Sequence, residues 1–211
     1  MEEIVNRAYE IFGSYKLTKE LDVCTQCCVT IEEKKRLETE VLREIPYKLI
    51  YLHNTAASSI KPPIEEFKYF LPRYLELISK NEFPSHSIEL SLKRFEHYQI
   101  EEFNDKELEF IEEFCQEYFK QTLALYPIPE GETIDSILVM LNKAQCNIIQ
   151  ILNYWKLDRS QSGNKHFTDL VNFGLSKRHN NLSNPFSSNK LNETVENWLS
   201  DGELFTTKYN K

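Results

Sequence analysis

Apolar side chains recur at three- and four-residue intervals along almost the whole of this 211-residue chain, and that spacing builds amphipathic α-helices rather than strands. Ile4, Val5, Ala8, Ile11 and Phe12 set the pattern, and it should stop near Gly13. Only five glycines are present, so tight turns and backbone cradles for a phosphate are scarce. The fold class expected is all-α: an irregular antiparallel helical bundle or short α-solenoid of 8–9 helices. One domain over 1–211 is the default, with a C-terminal subregion at 157–211 where the composition turns to Ser and Asn.

Local signals divide the chain further. Thr30 stands three residues before Glu33, a capping-box pair that predicts a helix over 31–44, and Pro46 separates it from a further helix in YKLIYLHN. Pro62 and Pro63 suit a helix start. The face of Ile64, Phe67, Phe70, Leu71, Tyr74, Leu75 and Ile78 then follows. Pro72 lies inside that face and should kink or split the helix. Ile88, Leu92 and Phe95 mark a short helix, and Asn104 or Asp105 caps a stronger one that ends at the breaker 127–131. Beyond Thr133 the apolar residues from Ile134 to Leu152 read as one central helix. RSQSGNK reads as a polar loop, 166–173 as a helix, 176–190 as a long connection and 191–199 as the closing helix.

Charge narrows the partners. The chain carries a net charge of -8, and residues 1–130 hold 25 acidic against 16 basic side chains. Such a surface repels nucleic acid and anionic lipid and attracts a basic protein. There is no apolar run long enough to span a bilayer, and the acidic start MEEIVNRAYEIFG is unlike a secretory signal. A cytoplasmic protein with five reduced thiols is expected, with Asn181 and Asn192 as chance glycosylation matches.

Among chemistry-bearing residues the cluster Cys24, Cys27 and Cys28 stands out, a C-x-x-C with an added thiol ahead of a helix. It offers two or three zinc ligands where structural zinc takes four, and His53 is the nearest histidine in sequence. Redox chemistry would need a low-pKa thiolate, and the pair lies upstream of the Thr30 cap rather than on a first helical turn. Small soft side chains filling a packed loop is the plain alternative. Five Glu-Glu doublets, beginning at Glu2, Glu32, Glu65, Glu101 and Glu112, read as solvated helix starts. His166 beside Asp169 could pair as base and orienter, although a solvent-facing histidine at a helix start is the commoner arrangement. Lys177, Arg178 and His179 form the one compact basic patch, too small to grip a nucleic-acid backbone. H-E-x-x-H, G-x-S-x-G, the phosphate loop and the dinucleotide fingerprint are all missing, which argues against the common enzyme classes.

CTQC at Cys24, FKYFLPRYLEL from Phe67, LNYW ending at Trp155, KHFTDLV around His166 and VENWL at Trp198 resemble an uncharacterised bacterial family with an N-terminal C-x-x-C and an F-x-x-FLPR helix. The resemblance implies a bacterial cytoplasmic origin and no assigned activity. Cys24, Cys27, Phe70, Leu71, Pro72 and Arg73 occupy its motif positions, and Cys28 departs from it. The sequence therefore leads first to a non-catalytic protein-binding module whose acidic face meets a basic partner, an immunity or antidote protein being one instance. Second comes a cysteine-dependent redox or zinc protein using Cys24 and Cys27, with Arg73 as an anion contact. Oligomeric state is left open.

Overall fold

A computed structural model describes residues 1–58, 62–176 and 181–200. The protein is all-α: the described residues form nine α-helices and no strand, with a single bridge between Leu175 and Leu182. The backbone falls into two compact units, Met1–Ile111 and Glu112–Lys211. The compositional change after Trp155 thus lies inside the second unit, not at its edge. Lys177, Arg178 and His179 lie outside the described residues.

In the first unit, α1 (Glu2–Ile11), α2 (Ile31–Thr39), α3 (Tyr47–Thr55) and α4 (Ile64–Ser79) are followed by 3-10 turns at Ile88–Leu90, Lys93–His97 and Ile100–Glu102. α1 buries Ile4, Val5 and Ala8, and its main partner is α4. The Thr30–Glu33 capping box forms as read, yet α2 ends at Thr39, short of 44, and a separate 3-10 turn covers Leu42–Glu44. α4 runs unbroken through Pro72, so of the kink or split expected there the split does not occur. Phe67, Phe70, Leu71, Tyr74 and Leu75 on either side of the proline are almost fully buried, and this packing holds the helix together despite the lost hydrogen bond. Asn81, left-handed at φ 60, ends it, with the Glu82 amide donating to the Leu77 carbonyl.

Polar groups are also buried here. Lys68 Nζ donates to Glu107 Oε2 at 2.8 Å, to the Glu102 carbonyl at 2.7 Å and to the Tyr15 hydroxyl at 3.1 Å, and both charged side chains are nearly inaccessible. Glu107 also accepts from the Asn104 amide, whose side chain caps α5 (Asp105–Ala124) in return. Glu66, the second member of a doublet read as solvated, is buried as well. It takes hydrogen bonds from His53 Nε2 (3.1 Å) and from the Asp22 amide (3.0 Å), with Arg94 3.9 Å away. The Tyr74 hydroxyl donates to His53 Nδ1 at 2.5 Å, which leaves the imidazole proton on Nε2, facing Glu66. Burial, together with the Arg94 charge, pushes the His53 pKa down to about 4, so the ring is neutral. Glu76 sits among Tyr9, Arg73 and Lys80. Burial opposes its charge, but hydrogen bonds from those three side chains win and hold its pKa at about 2.

In the second unit, α6 (Ile134–Lys143) and α7 (Ile148–Leu157) replace the single central helix. The break falls at Gln145, left-handed at φ 61, with the Cys146 amide donating back to the Leu141 carbonyl. α8 (Gln161–Asp169) starts inside the segment read as a loop: Ser160 Oγ accepts from the Gly163 amide and caps it. A π turn at Leu170–Gly174 and α9 (Asn189–Leu199) complete the unit. Trp155 is fully buried and stacks on Trp198 with ring centroids 5.3 Å apart.

Removing one member of the Lys68–Glu107 pair strands the other charge in the core. Glu107→Gln is therefore expected to destabilise the protein by about 3–5 kcal/mol in urea unfolding, while the apolar double replacement K68M/E107L recovers most of that loss. Stability should also fall with acid in two steps. The unfolded chain takes up a proton at His53 near its ordinary 6.5, and the native state only near 4. At Glu76 the corresponding values are 4.5 and about 2. Each step removes up to about 3 kcal/mol, the first between pH 6.5 and 4 and the second between 4.5 and 2. In a pH series of urea midpoints, E76Q should show a smaller lower step, Glu66 also being held below the ordinary carboxylate range.

Candidate functional site

Three sulfur atoms converge at the turn over residues 25–28. Cys24 Sγ lies 3.5 Å from Cys27 Sγ, which lies 3.3 Å from Cys28 Sγ, and all three fall within 4.8 Å of one another. The turn is fixed from both sides. The Cys24 amide donates to the Ala57 carbonyl at 2.8 Å, and the Val29 amide closes back on the Cys24 carbonyl at 3.1 Å. Upstream, the Asp22 amide is bound to Glu66 and the Leu21 amide to Glu38, so the strand-like approach to Cys24 is held to α4 and α2.

These thiols do not fill a packed loop. Cys27 is exposed and Cys24 and Cys28 are half-buried, which corrects the packing interpretation of the cluster. Backbone N–H groups of Gln26 and Cys27 point at Cys24 Sγ and, with the Cys27 thiol, lower its pKa. Cys27, hydrogen-bonded between its two neighbours, is pushed up to about 12. The arrangement thus favours the thiolate form at Cys24 and the protonated form at Cys27. A turn with inward amides does here what a helix N-terminus does elsewhere.

The other candidate residues separate from this site. His53 is fully buried and committed to Glu66 and Tyr74, so it offers no fourth ligand. Arg73, read as an anion contact, donates twice to the Ile45 carbonyl and once to Glu76 at 2.8 Å, and its function is to tie α4 to the segment before α3. Phe70, Leu71 and Pro72 are core residues. Cys115 and Cys146 form a disulfide, against the expectation of five free thiols. The turn after α6 brings Cys146 beside α5, where Glu112 accepts from the Asn147 amide at 2.8 Å. Their separation of 31 residues gave no sign of this.

No known family, curated protein or solved structure matches the chain. Interpretation of the site therefore rests on its own geometry.

His166 corrects a further expectation. It sits in the last turn of α8 and not at a helix start, it is only 4% exposed, and its Nε2 donates to the Leu125 carbonyl at 2.7 Å. Burial lowers its pKa, so the ring is neutral and its Nε2 proton is already engaged. Asp169 does not orient it. That carboxylate accepts instead from the Tyr126 hydroxyl at 2.7 Å, and the Tyr126 ring packs edge-on against His166 with centroids 5.0 Å apart. The sequence missed Tyr126 because a tyrosine beside a proline breaker carries no motif.

Proposed function

We propose that this protein works as a metal–thiolate protein, holding a soft metal ion on Cys24, Cys27 and Cys28 with a fourth coordination position open to water or an external ligand. The observation that carries this reading is the convergence of three sulfurs on a solvent-reaching turn. With Zn–S bonds of about 2.3 Å, thiolates sharing a tetrahedral ion stand about 3.8 Å apart, so separations of 3.3 and 3.5 Å need only a slight opening. Thiolates favour zinc and monovalent copper over hard cations. Three protein ligands with an open position is the pattern of a reactive or exchangeable zinc site, as opposed to a closed structural one. The Gln26 and Cys27 amides would support the first ligand, and the anchors at Asp22 and Ala57 would limit the rearrangement on binding.

Reduced protein titrated with Co²⁺ and then Zn²⁺ is expected to take up one ion per chain, with sulfur-to-cobalt charge-transfer absorption that zinc abolishes. Serine at Cys24, Cys27 or Cys28 should each weaken binding by more than the roughly 10–100-fold typical of losing a supporting contact. Cys115 and Cys146 replaced together should leave it unchanged. Absence of charge transfer, or uptake unaffected by the three serine variants, rules this function out.

A second reading, a non-catalytic module that docks a basic protein, is favoured by the charge distribution. The acidic excess lies within residues 1–130, and Glu2, Glu3, Glu10 and Glu32 are exposed. Such a partner should be retained from a lysate of the native host at low salt and released as ionic strength rises. A retained partner whose binding is indifferent to salt would not be held by this surface.

A further inference from the structure

The second unit contains a cavity of about 280 Å³, at the small end of the ~300–1,000 Å³ usual for ligand pockets. It lies between the segment joining α5 to α6 and the end of α8 with its π turn. Its apolar walls come from Ile128, Ile134 and Leu170, with the Tyr126 ring at one side. Phe173, 77% exposed, stands at the rim on the π turn, a backbone form that recurs where a helix is shaped around a function.

The polar lining is one-sided. Glu132, Asp135 and Asp169 line the cavity, and no lysine or arginine does among the described residues. His166 contributes no charge, its ring being neutral and bonded to Leu125. Asp135 is only 8% exposed, yet the hydrogen bond it receives among the described residues is a long one, from Asn184 Nδ2 to Oδ2 at 3.3 Å. Its Oδ1 lies beside Gly174, where a β-carbon would stand 3.5 Å from it, and Gly174 itself lines the cavity. A carboxylate buried to this degree ordinarily has its lone pairs matched by donors. Asp135 lines a space large enough for a ligand to supply a further donor. Asp169 keeps one oxygen for Tyr126, which fixes the other relative to the ring.

The α6 N-terminus would by itself favour an anion, but Asp135 in its first turn already supplies one; Lys165 Nζ lies 5.0 Å over the Tyr126 ring, so one cation stands against the three carboxylates of the lining and the balance favours a further cation. An inorganic cation would want several oxygens and water. The apolar walls and the aromatic ring suit an ammonium group on an apolar body, which gains charge-assisted hydrogen bonds at one end and burial at the other. We propose that this cavity takes a small organic amine in its protonated form, the ammonium paired with Asp135 and Asp169 and its apolar body against Tyr126, Ile128 and Leu170. The site shares no residue with the thiol cluster, and its success or failure is read separately from metal binding.

The test uses the full chain and phenethylamine as probe, with 2-phenylethanol and 3-phenylpropionate as neutral and anionic counterparts, followed by calorimetry or protein NMR. The amine is expected to bind saturably with Kd below about 1 mM, and the alcohol and the acid at least tenfold more weakly. Asp135→Asn and Asp169→Asn should each cost about 10-fold or more. Asp169 is only half-buried, so D169N keeps the test intact if D135N fails to fold. Phe173→Ala, at an exposed position, should weaken the amine a few-fold with thermal stability unchanged. Failure of phenethylamine to saturate, equal binding of the acid, or full binding by folded D135N and D169N overturns the proposal.

Discussion

Glu66 is the constraint around which the first unit is arranged. A carboxylate with about 5% of its surface exposed cannot stay charged unless donors or an opposite charge replace the water it has lost, and here two donors and one cation come from three different places in the chain. His53 brings α3, the Asp22 amide brings the loop after α1, and Arg94 brings the 3-10 segment. Arg94 in turn donates to the His53 carbonyl, which locks the histidine backbone to the same cluster. Because Asp22 lies two residues before Cys24, satisfying one buried charge on α4 also fixes where the thiols stand.

That coupling explains how a loop poor in secondary structure can hold three sulfurs in register. Its chain is anchored at Leu21, Asp22 and Cys24 by Glu38, Glu66 and the Ala57 carbonyl, and Val29 packs into the core immediately after the turn. Only the four-residue turn itself projects. The chain on both sides of the turn is thereby held by hydrogen bonds and core packing.

The two units use buried polar groups differently. In the first, each buried charge meets an opposite charge or a hydrogen-bonding network, as at Lys68–Glu107 and Glu76–Arg73, and these are devices of register and stability. In the second, Trp155 donates to the Gly163 carbonyl and His166 to the Leu125 carbonyl, so these two side chains are satisfied by the backbone. Asp135 has instead one long hydrogen bond, from Asn184, and a place in the cavity wall. Gln121 Oε1, Asn164 Oδ1 and Trp198 Nε1 are buried in that unit without a partner among the described residues, and Asp135 differs from them in lining this cavity.

The sequence alone determined the helical class, the position of most helix starts and the existence of a thiol cluster. Those depend on local periodicity, on capping chemistry within four residues and on cysteines adjacent in the chain. It could not determine that a glutamine at 145 would end α6, since left-handed geometry at a residue other than Gly or Asn is decided by the packing on either side. Nor could it separate Glu66 from its solvated neighbour Glu65, pair Cys115 with Cys146 across 31 residues, or bring Tyr126 and Asp135 to the same cavity as His166. Those outcomes belong to the tertiary structure, because burial and long-range contact set the dielectric and the partners of a side chain, and neither is encoded in its immediate neighbours along the chain.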